Sequence, residues 1–197
     1  SAREDLKYIL EDANRCKNIV KSLLVYSRST GANKRVVQFN EVIEQSLRLI
    51  RDQKKFRNIT IERHLAEEMM LINADTSKLN QVVINLVINA ADAMKGFGKI
   101  RLFSYKNKVQ KKVYMEIMDT GEGIPRKNLS KIFDPFFTTK EIGKSTGLGL
   151  SIVYGIIQEH GGSISVKKTG AKGTTFIVEL PLYIPQEEMG PLCSPSD

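Results

Sequence analysis

Mostly hydrophobic side chains recur at alternating steps of three and four residues between positions 3 and 29. This spacing lines them up along one side of a helix, as in a helical bundle or a coiled coil. The positions are Leu6, Ile9, Ala13, Cys16, Val20, Leu23 and Ser27. Because a lone helix of this kind is not stable in water, we expect it to pack on another copy or on a further segment. A helix lying on its own domain is the alternative.

After Gly31 the pattern changes to a mixture of strands and helices. Alternating apolar and polar positions predict strands in VVQF, NITIERHLA, LINA, KIRLFSY, KKVYMEIMD, SISVKK and GTTFIVELP. The basic loop at 106–112 joins two of these strands and predicts a hairpin. A 3.6-residue period predicts three helices: one capped by Asn40, a second opened by Asp75 or Thr76, and GLSIVYGIIQEH.

A long irregular stretch, from Gly121 to Thr146, interrupts this pattern, and nine of the fourteen glycines fall between 121 and 170. A loop of this length in a small domain is usually functional or disordered. The motifs on either side of it favour a functional loop.

Composition narrows the class of protein. The chain has 197 residues, of which 41% are hydrophobic and 26% charged, enough for one packed core with a short appendage. Its net charge of +8 excludes a strongly acidic scaffold and favours an anionic partner: a nucleotide, a nucleic acid or a phospholipid. The sequence has no apolar run that could cross a bilayer, no secretory signal and no zinc-site spacing at its two cysteines. We therefore expect a soluble chain in a reducing compartment.

The second predicted helix carries an unusual polar face. Gln81, Asn85, Asn89 and Asp92 follow one another at steps of four, four and three, so they share one side of the helix. A solvated face would more often carry Lys and Glu, because Asn is a poor helix former. Two amide oxygens one turn apart can instead hold a hard cation such as Mg²⁺, shared with substrate phosphates. A solvated or core-facing polar stripe is the alternative.

Asp119 ends a predicted strand and is followed by Gly121 and Gly123. A carboxylate at such a place suits the floor of a pocket, where it accepts a hydrogen bond from an amine while the glycine backbone passes close to a flat ligand. A tight turn that Asp119 merely caps is the alternative.

The third predicted helix opens with a glycine-rich segment, Thr146, Gly147, Leu148, Gly149 and Leu150. Glycines at a helix N-terminus leave backbone N–H groups and the positive end of the helix dipole open to a phosphate, although the spacing is not that of a P-loop. The loop before this helix carries three hydrophobic anchors and a lysine that could reach a phosphate: Phe133, Phe136, Phe137 and Lys140. An ordinary hydrophobic loop with a solvated lysine is the alternative.

In this order the four motifs resemble the catalytic and ATP-binding domain of sensor histidine kinases, in the GHKL superfamily shared with DNA gyrase, mismatch-repair ATPases and a heat-shock chaperone. QVVINLVINAADAM is similar to the N box, DTGEGIP to the first glycine box, IFDPFFTTK to the F box and STGLGLSIVYGIIQEHGG to the second glycine box. The resemblance covers about residues 36–184. It implies a two-layer α/β sandwich of a mixed β-sheet and three helices, preceded by the bundle helix.

The resemblance also implies roles for individual residues in binding ATP and Mg²⁺. Asp119 would accept from the adenine amino group. Asn89 would ligate Mg²⁺ between the phosphates with support from Asn85, and Lys140 would hold the phosphate chain. Asn85 and Lys140 are thereby assigned to catalysis. The other positions assigned to nucleotide binding are Gly121, Gly123, Ile124, Phe133, Thr146, Gly147, Leu148, Gly149 and Leu150.

Residues 1–30 resemble the second helix of a dimerisation and histidine-phosphotransfer domain. Neither histidine of the chain stands in the context of a phosphoacceptor, because His64 lies in a predicted strand and His160 in the HGG turn, so we expect both to be structural. The resemblance therefore implies a donor domain at 31–185 and a disordered tail at 186–197. Its acceptor histidine would lie on the protein's own phosphotransfer domain, on a helix that this chain does not contain.

The implied partners are those of a two-component system. They are the phosphotransfer domain just described, the receiver domain of a response regulator and a second copy of the full-length protein in a homodimer. The implied location is the cytoplasm, either free or as the cytosolic part of a membrane-bound sensor.

Three alternatives belong to other classes of protein. An ATP-gated clamp ATPase would carry Glu at position 85 to activate water, where this chain has Asn, and a large following domain. An anti-sigma-type serine kinase would lack the heptad helix. A nucleic-acid binder could use the basic loop at 106–112, but no aromatic residue is interleaved there, and we expect no nucleic acid. Two positions depart from the family pattern: Ser145 replaces a common glycine, and Asp92 replaces a basic residue or His.

Overall fold

The computed structural model describes residues 33–140 and 145–185. The strands are β1 (Arg35–Gln38), β2 (Ile59–Leu65), β3 (Leu71–Ala74), β4 (Gly98–Asn107), β5 (Lys112–Asp119), β6 (Ser163–Gly170) and β7 (Gly173–Pro181). The helices are α1 (Phe39–Ile50), α2 (Thr76–Ala93) and α3 (Gly149–Glu159), with 3-10 turns at Lys54–Phe56 and Arg126–Asn128. The bundle helix at 1–30 and the tail at 186–197 lie outside the described residues, and they and the domain boundaries stay predictions.

Five strands form a mixed sheet in the order β2-β4-β5-β7-β6. Strand β2 is parallel to β4, and every other neighbouring pair in this sheet is antiparallel. The predicted hairpin across the basic loop is confirmed by the antiparallel pairing of β4 with β5. Strands β1 and β3 form a separate antiparallel pair. The expected α/β sandwich of a mixed sheet and three helices is confirmed.

The core lies between one face of the sheet and the helices. Ile100 and Leu102 on β4 are fully buried, whereas Arg101 and Phe103 between them are partly exposed on the opposite face. Helix α1 buries the apolar positions that its period predicts, Val42, Ile43, Leu47 and Ile50. None of the described helices combines the length and the apolar character that crossing a bilayer requires.

The first turns of α1 and α2 differ in how well the sequence predicts them. Asp75 caps α2 as expected, since its Oδ1 accepts from the backbone N–H groups of Ser77 and Lys78 at 3.0 and 3.1 Å. The prediction that Asn40 caps α1 is wrong: the helix begins at Phe39, and the side chain of Gln38 accepts from the N–H of Asn40.

The reason is a competing set of partners for the Asn40 side chain. Its Nδ2 donates to the carbonyl oxygen of Ala66 at 2.7 Å, and its Oδ1 accepts from the Ser104 hydroxyl at 2.7 Å. These bonds draw the amide toward the sheet and leave the capping role to Gln38.

His160 lies in the predicted turn and is held there by hydrogen bonds, and His64 lies in the predicted strand, where its structural role stays a prediction. His160 follows α3 and is 6% exposed; its Nδ1 donates to the carbonyl oxygen of Ile156 and its Nε2 accepts from the N–H of Asp75. Burial lowers the pKa of His160, and the bond to Ile156 opposes this effect only in part. His64, on β2, stacks on Phe103 with ring centroids 4.9 Å apart.

Candidate functional site

A cavity of about 890 Å³ opens between α2, the end of β5, the start of α3 and the segment 137–140. Most of the residues predicted for the site line this one cavity. They are Asn85, Asn89, Asp119, Gly123, Ile124, Lys140, Thr146, Gly147, Gly149 and Leu150. The motifs that lie far apart in the sequence therefore meet in one place.

Three of the predicted residues lie behind the cavity wall. The N–H of Gly121 donates to Asp119 Oδ1 at 2.8 Å and so fixes the carboxylate. Phe133 packs against Tyr154 of α3, with ring centroids 5.5 Å apart. Leu148 is buried in the core, just before the first residue of α3. These three residues support the cavity from outside it.

Asp119 forms the deep end of the cavity. The carboxylate is at the end of β5, only 4% exposed, and its Oδ1 accepts from the N–H groups of Gly121 and Thr174 at 2.8 and 3.2 Å. Burial raises the pKa of Asp119, while the two hydrogen bonds favour the charged form and reduce that rise. Because both bonds fall on Oδ1, Oδ2 is the oxygen placed to accept from a ligand.

Two glycines allow the backbone to pass close to other segments at the rim. Gly123 has φ +77°, and a Cβ there would lie 2.1 Å from the carbonyl oxygen of Gly170. Gly147 has φ +67°, and a Cβ there would lie 2.4 Å from the carbonyl carbon of Phe136. Both conformations are strained for any residue with a side chain. Gly123 in the first box and Gly147 in the second are thus required by backbone geometry.

The amide face of α2 points to the phosphate end of the predicted site. Asn85 Nδ2 donates to the carbonyl oxygen of Gly149 at 3.3 Å, which joins α2 to the first turn of α3. Asn89, one turn further along, lines the cavity. Within 33–140 and 145–185, no group of three or more His, Cys, Asp or Glu side chains could hold a metal ion. An ion here would depend on amide oxygen, ligand phosphates and water.

Lys140 lines the cavity, but its ammonium group is bound to the protein. Its Nζ contacts Asp92 Oδ2 at 2.7 Å, and the Nζ of Lys55 contacts Oδ1 of the same carboxylate at 2.5 Å. Burial acts to raise the pKa of Asp92, but the hydrogen bonds from Lys140 and Lys55 outweigh it and hold that pKa below its usual value. Lys55 was not predicted from the sequence, because a lysine in the run KKF looks like any solvated lysine.

Ser145, just before α3, is linked by a hydrogen bond to Thr138 in the segment 137–140. Its hydroxyl lies 2.6 Å from the Thr138 hydroxyl, and Thr138 Oγ1 also accepts from the N–H of Lys140 at 3.1 Å. The residue that departs from the family's glycine thus forms a hydrogen bond that glycine cannot form.

Comparison with known families identifies this arrangement. Residues 74–184, which include all four boxes, match the family described as Histidine kinase-, DNA gyrase B-, and HSP90-like ATPase. The chain belongs to this ATPase family. The cavity described above lies where the family's four boxes meet.

Individual relatives of this ATPase family point to its histidine kinase branch. The sensor kinase CckA of Brucella abortus is 37% identical, over 93% of this chain and 21% of that protein. The sensor histidine kinase ZraS of Salmonella typhimurium is 34% identical, over 95% of this chain and 40% of that protein. The chain therefore spans less than half the length of these curated relatives.

Solved structures agree with the sequence comparison. The nucleotide-free catalytic domain of histidine kinase ThkA superposes with a TM-score of 0.68 at 36% identity, covering 76% of this chain and 96% of that domain. ThkA in complex with the response regulator protein TrrA gives a TM-score of 0.74 at 34% identity, covering 89% of this chain and 49% of that one. The described residues have the fold of a histidine kinase catalytic domain.

Proposed function

We propose that this chain is the ATP-binding catalytic part of a sensor histidine kinase, which transfers the γ-phosphoryl group of Mg-ATP to a histidine for relay to a response regulator. The observation that carries the proposal is the single cavity that has a buried carboxylate at one end and an amide face with a helix N-terminus at the other. These are the groups that an adenine base and a magnesium triphosphate require.

At the adenine end, Asp119 accepts a hydrogen bond from the exocyclic amine through Oδ2. Its other oxygen is held by Gly121 and Thr174, so the carboxylate is oriented before the base arrives. Ile124, whose N–H donates to the Thr169 hydroxyl at 2.7 Å, supplies an apolar contact for the flat ring. An oriented acceptor and an apolar wall together favour a planar base that carries an amine.

At the phosphate end, Asn89 supplies the amide oxygen for Mg²⁺, and Lys140 and the first turn of α3 contact the phosphates. Leu148 is the residue before α3, and its side chain forms no capping hydrogen bond. The N–H groups around Gly149 and Leu150 are therefore available to an anion. A Mg²⁺ ion held there would supply charge neutralisation for the phosphates. The chain's own groups position the γ-phosphoryl group for in-line attack.

Asn85 favours transfer over hydrolysis. Phosphoryl transfer needs little covalent help from the protein, because positioning and charge neutralisation lower most of the barrier. The amide of Asn85 is not a base at neutral pH, so it orients the first turn of α3 without activating water. We therefore expect slow hydrolysis of ATP and transfer of the phosphoryl group once an acceptor histidine is in place.

We place that histidine on the protein's own dimerisation and phosphotransfer domain, within a homodimer of the full-length protein in the cytoplasm. A response-regulator receiver domain then takes the phosphoryl group, and nucleic acid has no part in the reaction. The complex of ThkA with its response regulator supports this partner class.

Binding is tested by titrating the chain with fluorescent ATP in the presence of Mg²⁺. Asp119→Asn keeps an acceptor for Gly121 and Thr174 but loses the charge, so we expect an affinity about 10- to 100-fold lower, from the loss of a charged hydrogen bond worth about 1.5–3 kcal/mol. Glu67→Gln removes a charge from an exposed turn and serves as the matched control. Unchanged affinity in Asp119→Asn contradicts the adenine assignment.

Transfer is tested by mixing the chain with Mg-ATP labelled at the γ-phosphate and a separate fragment that carries the acceptor helix. We expect acid-labile label on that fragment, and none when its acceptor histidine is changed to glutamine. Release of free phosphate without labelled fragment would favour the clamp ATPase instead.

A further inference from the structure

Asp92 lies at the phosphate end of the cavity, where a negative charge is unfavourable for binding a triphosphate. It is three positions after Asn89 on α2, and both residues line the cavity. A carboxylate near phosphates raises their electrostatic energy unless cations compensate it. A carboxylate at this position therefore needs cationic partners if the cavity is to hold a triphosphate.

The two lysines that contact Asp92 more than compensate its charge. Lys55 and Lys140 each use a different oxygen of the carboxylate, so the three groups together carry a net charge of +1. Both lysines also line the cavity. A lysine ammonium group has three donors, so each retains two for another acceptor after bonding to Asp92.

The position of Lys55 is fixed at its backbone. It lies in the 3-10 turn Lys54–Phe56, and the next residue, Phe56, is 6% exposed in the core. The N–H of Phe56 donates to the carbonyl oxygen of Gln53 at 3.0 Å, which holds the turn. From this anchored turn the side chain of Lys55 reaches across to α2.

We propose that Lys55 is a phosphate-binding residue of this cavity and that Asp92 positions it there together with Lys140. The inference rests on the proposed function, since it takes the anionic ligand to be the phosphate chain of ATP. A lysine free to rotate loses rotamer entropy when it binds an anion. Asp92 restricts Lys55 and Lys140 before the nucleotide arrives, so part of that entropy is already lost. The acidic residue thus replaces the family's basic residue by bringing in a cation from outside the four boxes.

Two other roles for the cluster give different results. A partly exposed ion pair that serves only the fold contributes little to stability and nothing to ligand affinity. An inhibitory role, in which Asp92 keeps both lysines away from phosphate, would make Asp92→Asn bind ATP more tightly. The proposed role makes both Lys55 and Asp92 necessary for full affinity.

The test compares Lys55→Met with Lys54→Met in the full chain, with Mg-ATP and adenosine as the two ligands. Lys54 is the exposed neighbour in the same turn and so is a matched control. We expect Lys55→Met to lower Mg-ATP affinity about tenfold and to leave adenosine affinity unchanged, because only the phosphate contact is lost. Lys54→Met should change neither affinity, and Lys55→Arg, which keeps the charge, should restore most of the loss.

The positioning role of Asp92 has its own readout. Asp92→Asn should weaken Mg-ATP binding, and adding Lys55→Met to it should cost clearly less than the same change costs alone, because the lysine is no longer held. Equal losses in both backgrounds, or tighter binding in Asp92→Asn, overturn this role. Unchanged Mg-ATP affinity in Lys55→Met overturns the assignment of Lys55.

The result also separates this inference from the proposed function. If the wild-type chain binds neither Mg-ATP nor adenosine, the proposed function fails. If it binds both, and Asp119→Asn weakens both, then an unaffected Lys55→Met removes this inference alone.

Discussion

Two side chains that line the cavity, Asp119 and Asn89, are unfavourable for the stability of the folded protein. Asp119 is a carboxylate in a position where burial raises its pKa, and Asn89 is an amide on a helix, where Asn is a poor helix former. Neither choice is the best one for folding. The proposed function explains each of them by a charged or polar group of the nucleotide.

The cost at Asp119 should appear in the pH dependence of stability. Because the pKa is raised in the folded state, its contribution to stability is complete below the unfolded pKa and is lost as the pH rises through the folded pKa. Asp119→Asn should therefore gain in free energy of unfolding, relative to the wild type, as the pH rises from about 3.5, just below the ordinary carboxyl pKa of 3.8, to about 7.5. Urea unfolding at both pH values measures this gain, and a difference that does not change with pH contradicts it.

The role of Asn89 is tested by varying the metal ion. Asn89→Ala removes the amide oxygen, and we expect the affinity for Mg-ATP to fall about tenfold while that for ATP in EDTA changes little. Gln81→Ala, on the same face two turns earlier, is the control and should affect neither value. Equal losses with and without Mg²⁺ would count against Asn89 as the ligand.

The elements of this domain are joined by contacts that sequence periodicity does not describe. Helices α2 and α3 are held at one end by the pair Lys78 and Glu159, with Nζ 2.6 Å from Oε1, and by the bond from Asp75 to His160. Nearer the cavity they are held by Asn85 and Gly149. The strands and the loops between them approach so closely at the rim that only glycine fits.

Gly123 offers a sharp test of this close packing. Gly123→Ala combines a positive φ with a contact to the Gly170 carbonyl, so we expect a loss of about 2–4 kcal/mol in the free energy of unfolding. Gly155, in the middle of α3, has open space where a methyl group would lie, and Gly155→Ala should stabilise by about 0.5–1 kcal/mol. Chemical denaturation of both variants measures this contrast in sign. A loss well below about 2 kcal/mol in Gly123→Ala would show that the backbone around Gly123 can shift to accommodate the methyl group.

Much of the fold and of the site could be predicted from the sequence, because both depend on local patterns. Strand alternation, helical period and the Asp75 cap are properties of neighbouring residues. Most of the described residues that line the cavity belong to the four boxes, which are short sequence motifs. The prediction that Asn40 caps α1 was wrong because the Asn40 side chain forms hydrogen bonds with Ala66 and Ser104, which are distant in sequence. Lys55 was missed for the same reason, since only the fold brings it to Asp92.

At the scale of the whole molecule, the helices cover one face of the sheet and leave the other face for polar and aromatic side chains. On that second face Tyr105 stacks on Tyr114 with ring centroids 5.0 Å apart, and Glu116 is bound by the Tyr105 hydroxyl and by Lys167 Nζ, each at 2.6 Å. The cavity lies on the other side, among the helices. Within the part of the chain that the structure describes, the residues that line it fall between Lys55 and Phe176.

This placement predicts the behaviour of a shorter chain. Residues 31–185 alone should bind Mg-ATP within about twofold of the full chain and should unfold in one cooperative step. At a nucleotide concentration about 100 times Kd, both chains should gain about 2.7 kcal/mol in free energy of unfolding. Thermal unfolding with and without nucleotide measures this, and a shorter chain that does not fold would place the domain boundary elsewhere.

The bond from Asn85 to Gly149 has a consequence for how members of this family can interconvert. The amide donates a proton to a carbonyl oxygen, which a carboxylate at neutral pH is unable to do. A glutamate introduced at position 85 would have to turn away from that carbonyl, and the start of α3 would lose a support. In this scaffold, acquiring a water-activating base at position 85 would therefore cost about 0.5–1.5 kcal/mol unless a further change near residue 149 replaced that support.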